Sequence, residues 1–111
     1  MAENIVLTEA VYYILLSLYS PLHGYGIMQK VEDFSDGRVK LAAGTLYGAL
    51  NTLLEKGWIV AVYGETNSRK KEYEITRLGK EIAVNELARL RELLNNGEKI
   101  IKAVRKPEQL Y

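Results

Sequence analysis

Apolar residues recur at helical spacing in four stretches of the chain and alternate in two short ones between the third and fourth. In the first stretch Leu7, Val11, Ile14, Leu15 and Leu18 fall on one stripe, which predicts a helix from about Thr8, a suitable N-cap, to Tyr19. Tyr12, Tyr13 and Leu16 lie off that stripe, so this helix is apolar nearly all round and needs cover on both sides, the second cover coming from another subunit. Ser20-Pro21-Leu22 ends it, because proline disfavours helical backbone at the residue before it. His23-Gly24 then opens a second helix, Tyr25 to about Phe34, with Ile27, Met28 and Val31 facing inward. Ser35-Asp36-Gly37 reads as a turn, and Val39 to Leu41 as a short strand or an extended lead-in. The third helix spans about Ala43 to Lys56, with Leu46, Leu50, Leu53 and Leu54 as its stripe and Gly57 just past its end.

Ile59 to Gly64 and Lys71 to Ile75 have strand character, and the polar Thr66 to Lys70 between them makes the pair a β-hairpin with a basic tip. Thr76 caps a last helix from about Arg77 to Val104, roughly 40 Å long at 1.5 Å per residue. Along it Ala83, Leu87, Leu90, Leu94, Gly97, Ile101 and Val104 step alternately by four and three, a heptad seam that wants a partner helix. Asn95-Asn96-Gly97 is also a turn signal, which leaves a continuous helix and one bent or folded back at Gly97 both open. Pro107 marks a frayed tail. The fold class is therefore mainly α with a β-hairpin. A winged helix-turn-helix occupies residues 1–75, and a dimerisation helix with its tail occupies residues 76–111, the two forming one compact unit.

Composition narrows the function. The 111 residues contain no cysteine and one histidine, His23, so thiolate chemistry is excluded and a multi-histidine metal site would need a second subunit. No apolar run is long enough to span a membrane. Glu3 and Glu9 stand where a signal peptide would be basic, so a cytoplasmic protein is expected. His23 has no serine or acid partner at motif spacing, and Gly24-Tyr25-Gly26 lacks the third glycine and preceding strand of a dinucleotide site. No catalytic residue, metal or cofactor is expected. The net charge of +1 is unevenly spread: residues up to Val39 sum to −3, whereas Lys40 to Lys80 sum to +3. A local basic patch in mid-chain suits DNA.

The third helix turns its apolar stripe inward, which leaves its other side for the major groove. Gly44, Thr45, Tyr47 and Gly48 near its start are small or polar, and Asn51 one turn on has the chemistry to pair with adenine. Lys40 precedes it, and Arg69, Lys70 and Lys71 of the hairpin suit phosphates or a minor groove. Plainer readings stay open: the two glycines permit close helix packing, Tyr47 rims the core, Asn51 is an idle surface residue, and the hairpin cations are only solvated.

Pro21-Leu22-His23-Gly24-Tyr25, Gly44-Thr45-Leu46-Tyr47-Gly48-Ala49-Leu50, Leu54-Glu55-Lys56-Gly57-Trp58-Ile59 and the run Arg69 to Gly79 resemble the PadR-type transcriptional regulators in order along nearly the whole chain. The single C-terminal helix is similar to the family's short subfamily. The resemblance implies a homodimer on a pseudo-palindromic operator, a repressor released by a small apolar or phenolic ligand. It puts the dimer contact at Val11, Ala83, Leu87, Leu90, Leu94, Ile101 and Val104. It also gives His23 a structural capping role and leaves Tyr25 either touching the DNA backbone or packing. Tyr13, Leu16, Leu90 and Leu94 are candidates to line an interfacial cavity or else to form plain dimer core. Some drug-responsive relatives carry a tryptophan in the last helix; here that stretch is Leu93-Leu94-Asn95, so no planar-drug site is implied. The alternative class is a winged-helix adaptor that binds a protein through its last helix.

Overall fold

The computed structural model describes residues 5–63 and 71–104. The elements run α1 (Glu9–Ser17), α2 (Gly24–Phe34), α3 (Ala43–Lys56), β1 (Ile59–Tyr63), β2 (Lys71–Ile75) and α4 (Arg77–Val104). Thr8 caps α1 by accepting the Val11 N–H at 3.1 Å, as its hydroxyl predicts. The helix stops at Ser17 rather than Tyr19, with Leu18 as its C-cap. Leu18 is drawn out because its carbonyl accepts the Ile75 N–H of β2 at 2.9 Å.

That contact belongs to a stitch between the α1–α2 turn and the hairpin. Leu22 and Tyr73 exchange backbone hydrogen bonds in both directions, at 3.1 and 2.8 Å, forming an antiparallel bridge. On its other edge β2 pairs with β1 in the register Ile59↔Ile75, Ala61↔Tyr73 and Tyr63↔Lys71. The hairpin base is thus fixed against the start of α2. Ser35 closes the far end of α2, its hydroxyl donating to the Val31 carbonyl and accepting the Val39 N–H. Val39 to Leu41 is an extended lead-in, not a strand. α3 has the expected bounds and ends on Gly57 in the left-handed conformation, φ 76°.

Ile14, Leu15 and Leu18 of the first segment, Ile27 and Val31 of α2, and Leu46 and Leu50 of α3 form the centre of the core. Trp58, Ile59, Tyr73 and Ile75 close it from the hairpin side. α4 starts inside this core. Thr76 donates its hydroxyl to the Gly57 carbonyl at 2.7 Å and accepts the Gly79 N–H at 3.1 Å, which caps the helix and ties it to the end of α3. The first turn lies so close to the hairpin that a Cβ on Gly79 would stand 2.1 Å from the Trp58 carbonyl oxygen. Ile82 and Ala83 are buried; Ala83, expected in the intersubunit seam, is only 4 % exposed and is covered by this chain's own core.

α4 runs unbroken through Gly97 over 28 residues. The turn-prone Asn95-Asn96-Gly97 is outweighed by flanking leucine, glutamate and lysine, all good helix formers, and Gly97 alone costs only about 1 kcal/mol. Next to Ala83 lies a carboxylate that the heptad reading passed over. Glu86 is buried on α4 and receives both Nε and Nη2 of Arg89, at 2.9 and 2.6 Å. Those hydrogen bonds hold its carboxyl below the ordinary range against the opposing effect of burial, with the Arg89 charge and the Leu7 N–H adding to them.

Two predictions follow from this packing. Gly79→Ala must push α4 off the hairpin and should lower stability by about 1–3 kcal/mol, read as a lower urea midpoint. Glu86→Gln should cost about 1–3 kcal/mol at pH 7 by leaving the guanidinium imperfectly paired. Because the folded-state pKa of Glu86 is depressed, its contribution is present above the unfolded value of about 4.3 and is lost as pH falls through the folded one. The difference between Glu86→Gln and the parent should therefore shrink when urea curves are repeated at pH 3.

Candidate nucleic-acid interface

α3 buries Leu46, Leu50 and Leu53 and turns Gly44, Thr45, Tyr47, Gly48, Asn51 and Thr52 outward. No charged residue occupies this helix before Glu55, so its outer face is neutral. Gly44 and Gly48 meet nothing within 4 Å of an added Cβ, which removes close intrachain packing as their reason. Two exposed helical glycines destabilise the fold by roughly 0.5–1 kcal/mol each relative to alanine while leaving the backbone open to close approach. Ala42 gives α3 no side-chain cap, whereas Thr8, His23 and Thr76 cap the other three helices. The N–H groups of the first turn of α3 therefore face solvent without an intrahelical acceptor. Lys40 is exposed two residues before that cap.

Tyr47 does not extend straight out from this face. Its ring leans back on Gly24, where an added Cβ would come within 2.2 Å of the hydroxyl. It is 45 % exposed, so it is neither core nor free. The glycine of His23-Gly24-Tyr25 is thus explained by a contact between α2 and α3 that no local pattern encodes. His23 caps α2, its Nδ1 accepting the Gly26 N–H at 3.2 Å, as the structural reading expects.

The Leu22–Tyr73 bridge brings the hairpin to the same place. His23, Gly24, Tyr25, Tyr47, Lys71 and Tyr73 line an open concavity of about 420 Å³. Burial pushes the Tyr73 phenol up, with Tyr47 and Tyr63 contributing in the same direction, so it stays protonated and a hydrogen-bond donor at neutral pH. Of the three hairpin cations expected at the interface, Lys71 opens β2 and is exposed. Arg69 and Lys70 lie outside the described residues.

A second surface runs along α4. Leu87, Leu94 and Ile101 of the heptad seam are exposed, Leu94 by 60 %, and Leu93 and Ile100 widen the apolar strip. Leu90 is half-buried, Val11 is half-buried against this chain's own core, and the side chain of Val104 is outside the described set. Among the described residues, no contact or concavity joins all four cavity candidates within the protomer. Tyr13 packs on Phe34, ring centroids 5.4 Å apart. Leu94 lines a shallow concavity with Leu93, Gly97, Glu98, Ile101 and Lys102, without Tyr13, Leu16 or Leu90. Among the described residues no helix is long and apolar enough to cross a membrane.

Three helices, a two-stranded hairpin packed beside the third and a long terminal helix define a winged-helix protein of the transcription-regulator class. The family model described as the transcriptional regulator PadR-like family matches residues 13–84, and the chain belongs to that family, whose members regulate transcription and are not enzymes. A transcriptional regulator from Clostridium thermocellum is similar at 25 % identity, TM-score 0.61, over 87 % of this chain and 92 % of that one. A PadR family transcriptional regulator from Eggerthella lenta matches at 23 % identity, TM-score 0.67, over 82 % and 80 %. A PadR family transcription regulator from Clostridium difficile matches at 24 % identity, TM-score 0.58, over 87 % and 94 %. At the last two identities the likeness speaks for the fold. No curated relative matched the sequence.

Gly48→Ala should raise stability by about 0.5–1 kcal/mol, because the position is helical and has room for a methyl group. A higher urea midpoint with unchanged slope is the readout, and a lower midpoint would mean that the glycine serves the fold after all.

Proposed function

We propose that the protein is a DNA-binding repressor that acts in the cytoplasm as a homodimer on a pseudo-palindromic operator. One observation carries the reading: the neutral outer face of α3, with open space over Gly44 and Gly48, lies beside the strand β2 that begins with Lys71. Such a face suits insertion into a major groove, with the cations beside it on phosphates. Asn51, exposed one turn after Tyr47, has the amide geometry for adenine N6 and N7. Thr45 and Thr52 offer methyl groups to thymine. Lys40, Arg69, Lys70 and Lys71 supply sequence-independent attraction.

Dimerisation is supported by the apolar strip from Leu87 to Ile101, which a soluble protein does not leave open over such a length. A two-fold partner would cover it and set two copies of α3 on successive grooves. Val11, Leu90 and Val104 would border that contact. Tyr13, Leu16, Leu90 and Leu94 would come together only across the dimer, and a small apolar or phenolic effector bound there would act by favouring one dimer geometry over another.

The test is fluorescence anisotropy with the duplex upstream of the protein's own gene against a scrambled duplex, across a salt series. A preference for the upstream duplex, with affinity falling steeply as salt rises, is expected of the parent. Asn51→Ala should reduce that preference by about 1–3 kcal/mol with little change in salt dependence. No binding to either duplex at low salt would remove the DNA reading in favour of an adaptor that recruits a protein through α4. Leu94→Glu should shift the protein towards monomer in sedimentation equilibrium while leaving the winged-helix core folded.

A further inference from the structure

We propose that the outer edge of β1 pairs with β1 of a second copy of this chain, antiparallel and centred on Ala61. This contact is separate from α4, and it needs neither the DNA reading nor the α4 dimer. The hairpin has two edges, and one of them is covered. Tyr73 and Ile75 turn their backbone groups to Leu22 and Leu18. Glu72 and Glu74 are therefore the β2 residues that bond β1, through their register partners Val62 and Val60. Ile59, Ala61 and Tyr63 then point their N–H and C=O groups away from β2. The sheet has two strands, and among the described residues no backbone group meets these three on that side.

Open edges are ordinarily guarded by a lysine, a proline or a bulge. β1 reads Ile-Val-Ala-Val-Tyr, without a charge or a proline, and its register with β2 is unbroken from end to end. β-branched and aromatic residues of this kind favour a strand. Val60 is exposed, and Tyr63 is exposed by 69 %. The charges of the hairpin stand instead on β2, Lys-Glu-Tyr-Glu-Ile, the strand that already has a neighbour on each side. The guards are thus on the strand that does not need them.

The register names the occupant. The outward groups at Ile59, Ala61 and Tyr63 are symmetric about Ala61. A two-fold axis there sets Ala61 against its own counterpart, Ile59 against Tyr63 and Val60 against Val62, and every outward group of the strand finds a partner. Aromatic and β-branched pairs of this kind stabilise antiparallel neighbours. The axis keeps each side chain on its own face, so the buried Ile59 stays on the core side in both copies. Because the strands run antiparallel, the two cores lie at opposite ends of the joint. A charged strand would lose solvation against this uncharged edge, whereas a second β1 would not. The contact is short of the roughly 1,200 Å² of a stable interface. It is therefore weak between free molecules and gains strength where copies are held side by side.

The full chain has no cysteine, so single cysteines report the pairing cleanly. Ala61→Cys, Val60→Cys, Val62→Cys and a control on the exposed start of α4, Glu81→Cys, are oxidised mildly at high protein concentration. Ala61→Cys should cross-link to itself about tenfold faster than Glu81→Cys, because directly opposed strand residues lie within disulfide reach. Val60→Cys mixed with Val62→Cys should cross-link faster than either does alone. Ala61→Pro removes an outward N–H and no bond to β2, and added to that mixture's chains it should abolish the cross-link. Val60→Lys, a change at an exposed side chain, should do the same to Ala61→Cys with the circular dichroism spectrum unchanged. Cross-linking of Ala61→Cys no faster than the control would overturn the pairing. Equal rates at all three β1 positions would mean aggregation without register and overturn it as well. Loss of the Ala61→Cys cross-link in Leu94→Glu would place the contact on α4 instead, whereas its persistence there, or in a chain that binds no duplex, keeps the pairing apart from the proposed function. Saturable binding of labelled extended peptides of unrelated sequence, without register-specific cross-links between chains, would give the edge to a strand of another protein and overturn self-pairing.

Discussion

The arrangement of this protein depends on a short run of backbone hydrogen bonds between β2 and the turn that follows α1. Tyr73 bonds Leu22 twice and Ile75 bonds Leu18 once. A two-stranded hairpin is marginal alone in water. Here the α1–α2 turn acts as a third edge, and Tyr73 and Ile75 gain a core to enter. The bridge also sets the relation between the hairpin and the helices, since Leu22 immediately precedes the cap of α2 and Tyr73 lies two residues beyond Lys71. Shifting the pairing by one residue would turn Tyr73 and Ile75 to solvent and separate Lys71 from His23.

The glycines divide into those the fold requires and those it does not. Gly79 lets α4 touch the hairpin, and Gly24 lets Tyr47 lie on α2. Gly44 and Gly48 have open space where a methyl group would stand, so the chain would be more stable with alanine there. A cost without an internal return is consistent with close approach by something outside the chain. That contrast separates the two meanings of glycine better than position in the sequence can.

Local chemistry made most of the fold legible. The hydroxyl of Thr8, the leucine stripe of α3 ending at Gly57 and the alternation of β2 each depend on neighbours a few residues away. The errors arose where distant segments meet. Leu18 left α1 for a bond to Ile75, 57 residues further on. Tyr47 leans on Gly24 while staying 45 % exposed, a contact with α2 that its own helix does not announce. The heptad seam was read as one surface from Ala83 onward, yet α4 changes role along its length. Ala83 and Glu86 pack into the protomer, whereas Leu87, Leu94 and Ile101 face outward, with Leu90 half-buried between them. Periodicity locates a stripe on a helix but does not say which body covers each part. Glu86 was missed for a related reason: a glutamate in a charged helix looks solvated until Arg89 and α1 are seen around it.

The division of charge bears on how such a surface would discriminate among sequences. α3 presents hydroxyl, amide and methyl groups and no cation before its last turn, while lysine stands on the hairpin and before the helix. Cations attract every duplex alike, so a charged recognition helix raises affinity for wrong sites along with the right one. A neutral helix contributes little until its contacts are matched, and an unmatched amide such as that of Asn51 is left desolvated against the wrong base. In the reading proposed here, attraction and discrimination therefore rest on different elements, joined rigidly by the Leu22–Tyr73 bridge. Because the bridge fixes the distance between them, phosphate contacts made by the hairpin would decide which bases α3 can reach. Neutral recognition and rigid coupling are complementary: the less the helix itself binds, the more its register must be imposed from outside.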